Sequence, residues 1–92
     1  MATPFNPPQP SFEKPIPVSA ETLAAYALAG GVCWIIPLEN RTWAIAVVHQ
    51  DITGLLITAR DVQRTFASAD TASKFLGGQG VRFAVIAQRA KP

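Results

Sequence analysis

Six of the eight prolines in this 92-residue chain, Pro4, Pro7, Pro8, Pro10, Pro15 and Pro17, fall within the first seventeen residues. Each lacks a backbone donor and steers the residue before it toward extended backbone, so the stretch suits neither a helix interior nor the middle of a sheet. Residues 1–17 therefore read as a Pro-rich extended arm, with Phe5 and Phe12 as apolar anchors able to dock on this domain or on another chain. Residues 18–88 remain for a single α+β domain, and 89–92 for a tail. A unit of roughly 70 residues has room for one small core and no second domain.

Hydrophobic residues make up 49% of the chain, yet they come in short runs, far below the roughly 20 consecutive apolar residues of a membrane-spanning helix. The N-terminus shows no charged start followed by an apolar stretch and a small-residue cleavage site, so a cytoplasmic protein is expected, with no membrane partner. Cys33 is the only cysteine. Flanked by Val32 and Trp34, it reads as a buried apolar residue in a reducing compartment.

Periodicity sets the elements. Ser19 precedes an apolar repeat at Leu23, Tyr26 and Ala27, with Glu21 in the first turn and Val18 placed to staple onto Leu23, and Gly30-Gly31 closes this first helix. "VCWIIP" predicts a strand over 32–36, and "TWAIAVVH" a second over 42–49 with Trp43, Ile45 and Val47 on one face and Ala44, Ala46 and Val48 on the other. A strand apolar on both faces is either covered on both sides or faces a second subunit, which makes Trp43, Ile45 and Val47 candidate protein-interface residues beside Phe5 and Phe12. "QDITG" reads as a loop, "LLITA" as a third strand over 55–59, and "VQRTF" as a half-exposed fourth over 62–66. Ser68 caps a second helix with Ala69, Ala72, Phe75 and Leu76 as its stripe, Gly77, Gly78 and Gly80 form its exit, and "VRFAVIA" returns as a fifth strand. The expected order is α-β-β-β-β-α-β, two helices over one face of a mostly antiparallel sheet, with the last strand free to run parallel because a helix precedes it.

Catalytic chemistry has few candidates. His49 is the only histidine, so a Cys/His dyad would have to join it to Cys33, and both sit in apolar strands. The serines lack a nucleophile-elbow context, and Ser19 and Ser68 serve as helix caps. The acids fall in the arm, in first helical turns or in loops, with no spacing that brings two carboxylates together. "GGQG" at 77–80 follows a helix, whereas a phosphate cradle precedes one. The reading is a protein that is not an enzyme, with no catalytic residues, no metal site and no cofactor.

Charge is unevenly spread. Residues 1–58 carry two basic and four acidic groups, and residues 59–92 carry six basic and two acidic. Arg60, Arg64, Lys74, Arg82 and Arg89 are therefore the candidate contacts for nucleic acid or an acidic partner, although no aromatic ladder is interleaved with them as a single-strand platform requires.

The segment "LLITARDVQRTFASADTASKFLGGQGVRFAVI", residues 55–86, resembles a segment of small accessory proteins encoded on proteobacterial plasmids and other mobile elements, some of them associated with partition. The likeness is carried by Arg64-Thr65-Phe66-Ala67-Ser68, Asp70-Thr71-Ala72, Phe75-Leu76 and Gly80-Val81-Arg82-Phe83. It implies an accessory role on a mobile element. Combined with the two-sided apolar strand, it leads to the expectation of a non-enzymatic interaction protein that binds a protein partner and forms a homodimer. The alternative is a nucleic-acid-binding accessory or regulatory protein that uses the basic C-terminal third.

Overall fold

The computed structural model describes Pro10 and residues 15–87. Two helices and six strands follow in the order β1 (Ile16–Val18), α1 (Ala20–Leu28), β2 (Val32–Pro37), β3 (Trp43–His49), β4 (Ile52–Leu56), β5 (Thr65–Phe66), α2 (Ala69–Gly78) and β6 (Ala84–Ile86). The class is α+β. The sheet order is β1-β4-β3-β2-β6, with β5 also pairing with β3. β1 is parallel to β4 and β6 is parallel to β2, whereas β3 is antiparallel to β2, β4 and β5, so β3 alone runs against the rest. The sheet is mixed.

The two helices start and stop by the same devices. Ser19-Ala20-Glu21-Thr22 and Ser68-Ala69-Asp70-Thr71 are near-copies, and in each the serine Oγ accepts the threonine N–H, at 3.2 Å in α1 and 3.1 Å in α2. The capping serine satisfies one of the four donors that a helix leaves unpaired at its start. At the other end Gly30 (φ 107°) and Gly80 (φ 85°) take the left-handed conformation. Gly31 N–H then donates to Tyr26 O at 2.9 Å and Val81 N–H to Leu76 O at 3.0 Å, so both helices close with the same six-to-one bond. Gly77 and Gly78, read from the sequence as part of the exit, are the last turn of α2 itself.

Both helices lie on one face of the sheet. α1 packs over β1, β3 and β4, and α2 over β2, β3 and β5. Their stripes, Leu23 from α1 with Ala72 and Leu76 from α2, meet Cys33, Ile35, Ile45, Val47, Leu56 and Phe66 in one core. Register puts Cys33 opposite Val47 and Ile35 opposite Ile45 on this face, and Trp34 opposite Ala46 and Ile36 opposite Ala44 on the other.

Several boundaries differ from the sequence reading. The end of the arm joins the sheet as β1, because an edge strand tolerates a residue with no N–H, and Pro17 occupies such a position. The third strand starts three residues early, at Ile52, because Gln50 (φ 56°) makes a two-residue turn that leaves His49 opposite Ile52. Gly54 is thus inside a strand. A Cβ there would come within 2.9 Å of Val18 Cγ1 and 3.1 Å of Val47 Cγ1, so the missing side chain is space that Val18 occupies. The fourth strand shrinks to Thr65–Phe66: ahead of it Ile57 and Gln63 form only an isolated antiparallel bridge, the chain turns over residues 58–62 with Asp61 at φ 61°, and Arg64 N–H donates to Leu56 O. β6 is shorter than expected and runs parallel to β2, as the crossover through α2 permits.

No helix among the described residues is long and apolar enough to cross a membrane. Gly54→Ala is expected to destabilise the fold by roughly 1–3 kcal/mol through overpacking. Gly77→Ala, where a Cβ meets nothing and φ is not positive, should instead stabilise it by about 0.4–1 kcal/mol. Urea denaturation of the two variants beside the parent chain checks both signs. An unchanged midpoint for Gly54→Ala would contradict the packing of β1 on β4.

Candidate interaction surface

His49 and Cys33, the one possible Cys/His pair, share no hydrogen bond. His49 ends β3, with its ring 5.7 Å from that of Tyr26 and its Nε2 3.3 Å from the carbonyl oxygen of Ala29 at the end of α1. Cys33 is buried in the core, and burial pushes its thiol up from about 9 to about 11, away from the thiolate that nucleophilic chemistry needs. Among the described residues no three His, Cys, Asp or Glu side chains stand close enough to hold a metal.

The basic candidates are dispersed. Arg64 lies against the paired rings of Phe66 and Phe75, with its guanidinium carbon 5.3 and 4.9 Å from their centroids. It also lines a cavity at the start of α1 with Ser19, Glu21 and Asp61. Arg60 belongs to the turn over residues 58–62, where its N–H donates to Thr58 Oγ1. Lys74 forms an exposed pair with Asp70 one turn before it, at 3.4 Å, an interaction worth little in water. Arg82 sits at the opposite end of α1, beside Ala27 and Leu28. The nine residues of α1 separate the Arg64 and Arg82 sites by about 13 Å. Arg89 lies outside the described residues.

The interface candidates fare differently. Ile45 and Val47 are buried beneath the helices and Trp43 packs against the same core, so this face of β3 belongs to the chain's own interior. Alternation revealed two apolar faces without telling which one the helices would take. Phe5 and Phe12 lie outside the described residues.

Two further apolar concavities lie among the described residues. One, about 250 Å³, lies on the helix-free side of the sheet between Ile36, Leu38, Ala44, Leu55 and Gln63. The other, about 450 Å³, opens between the closing turns of the two helices and is lined by Ala27, Leu28, Gly31, Gly80, Val81, Arg82 and Phe83. Its two large side chains are among the most exposed apolar groups described, Leu28 at 75% and Phe83 at 59%. Ile86, at 53%, stands on the adjacent strand β6. The sequence carried one overlooked signal for this groove. Leu28 falls about 140° around α1 from Leu23, well off the buried stripe, where an apolar residue has no intrachain work.

Comparison with protein-family models, curated proteins and solved structures finds no match for this chain.

The raised thiol pKa carries a pH dependence. The folded state keeps Cys33 protonated where the unfolded chain has begun to ionise it, so the unfolded state gains relative stability as pH rises from about 9 to about 11. The denaturation midpoint of the parent chain should therefore fall more steeply across that window than that of Cys33→Ala. Parallel pH profiles would contradict the buried, protonated thiol.

Proposed function

We propose that this chain is a non-enzymatic interaction protein that binds a protein partner through the groove between the helix ends and acts as a homodimer. The observation that carries this reading is the pairing of Leu28 and Phe83, large, apolar and mostly exposed, across a groove with Arg82 as its one charged lining residue. Exposed apolar groups gathered around a concavity are a common mark of a binding surface. The complementary partner offers an apolar side chain to the groove and a carboxylate to Arg82. Assignment to a plasmid or other mobile element, and to the cytoplasm, is part of the same proposal. The mobile-element origin rests on the resemblance of residues 55–86 alone.

The nucleic-acid reading needs one continuous basic surface. The basic candidates do not gather on one surface: Arg64 lies at the start of α1, laid on aromatic rings, Arg82 at the other end of α1, and Lys74 on α2 paired to Asp70, and this division favours the protein partner.

A photo-crosslinking amino acid placed at Leu28, and at Thr58 as a control at the other end of α1, tests the proposal. A specific adduct is expected from position 28, absent from position 58 and lost when Phe83→Ser is added. Equal capture at both positions, or retention by nucleic acid that weakens steeply with salt, would overturn it.

A further inference from the structure

The sheet ends in two edges of opposite character. Along β1, Val18 turns its carbonyl toward β4, accepting from Ile57 N–H at 3.0 Å. Backbone groups alternate along a strand, so Pro17 is the residue whose amide position faces outward, and it has no N–H. That edge is blunted in the way proteins avoid unwanted pairing. Along β6, Ala87 N–H donates to Ile35 O at 2.9 Å, toward β2. The same alternation turns Val85 toward β2 and leaves the N–H and C=O groups of Ala84 and Ile86 directed away from it. Among the described residues β6 pairs only with β2, and residues 83–87 carry no charge and no proline.

We infer that β6 pairs antiparallel with β6 of a second copy across a two-fold axis at Val85, joining two sheets into one. The inference rests on the homodimer reading proposed above and names the surface that forms it. A strand that pairs with itself must be complementary to its own sequence read backwards, and Phe83-Ala84-Val85-Ile86-Ala87 is so in side-chain size. Ile86, half exposed in one chain, meets the small Ala84 of the copy, Phe83 meets Ala87, and Val85 meets Val85. Large faces small at every off-axis position. The hydrogen-bond parity agrees: the outward groups of Ala84 and Ile86 make the two hydrogen-bonded pairs, and the Val85 pair is the close, non-bonded one with Cα atoms about 4.5 Å apart. Shifting the axis by one residue either way spoils the match, setting Ile86 against Arg82 or Ile86 against Ile86. A partner of a different sequence would put no such constraint on β6, which is why the second copy is the occupant. Five residues a side bury less than the roughly 800 Å² per partner of a stable interface, so the dimer should form in a concentration-dependent equilibrium.

Single cysteines test the register in the full chain, with the parent as control because its Cys33 is buried. Diamide, which takes two electrons and two protons from a pair of thiols, should convert most of Val85→Cys to a covalent dimer. A Cα separation near 4.5 Å lies within disulfide range. Ala84→Cys should cross-link with Ile86→Cys in a mixture, and to a much smaller extent with itself. Val85→Lys, which sets two ammonium groups side by side at the axis, should sediment as a monomer at concentrations where the parent is a dimer. A parent chain that stays monomeric at every concentration overturns the inference. So does a dimer in which Val85→Cys fails to cross-link and Val85→Lys has no effect, although that result leaves the homodimer reading standing. Loss of the Leu28 adduct with β6 cross-linking intact would remove the groove's role without touching the edge pairing.

Discussion

β3 runs against the other five strands and pairs with β2 along one side and with β4 and then β5 along the other, so both helical units of the chain are registered through its backbone. Residues 44–48 of this strand are buried without a break. The unit β1-α1-β2 meets it through β4 and β2, and the unit β5-α2-β6 through β5 and β2. Each unit opens on a Ser-Ala-acid-Thr box and closes on a left-handed glycine, which marks where each helix begins and ends from groups within the unit itself. Local devices set the helices, and one strand sets their relation.

That division explains what was legible in advance. The limits of α1 and the start of α2 follow from groups within one turn of each other, and the residues read as the buried stripes of both helices are those that seal them to the sheet. Strands depend on distant partners. Gly54 looked like the end of a loop because nothing local shows that Val18 will fill the space of its absent side chain. Val62, Arg64 and Phe66 alternate like a strand. Only Phe66 is buried, and Arg64 is drawn onto the Phe66 and Phe75 rings, a contact between two elements that periodicity does not register. Of the arm's prolines, Pro17 serves at a sheet edge, the place in a sheet that suits a residue with no N–H.

The same limit governed the candidate site. A strand with two apolar faces pointed to Trp43, Ile45 and Val47 as a partner surface, and the helices cover that face. Three of the six large apolar side chains exposed among the described residues lie instead where local packing ends, Leu28 beyond the stripe of α1 and Phe83 and Ile86 around the last strand. This placement joins the groove and the unblunted edge at one side of the molecule. It is this placement on which the proposed interaction surface rests.

Native-state hydrogen exchange tests the role of β3 most directly. If both units hang on this strand, the amides of residues 44–48 should exchange only through global unfolding, with the same free energy that denaturation gives, while those of residues 58–62 exchange through local opening at far lower cost. Exchange of the β3 amides at the rate of that loop, or two blocks of protection that unfold independently on either side of β3, would contradict the account.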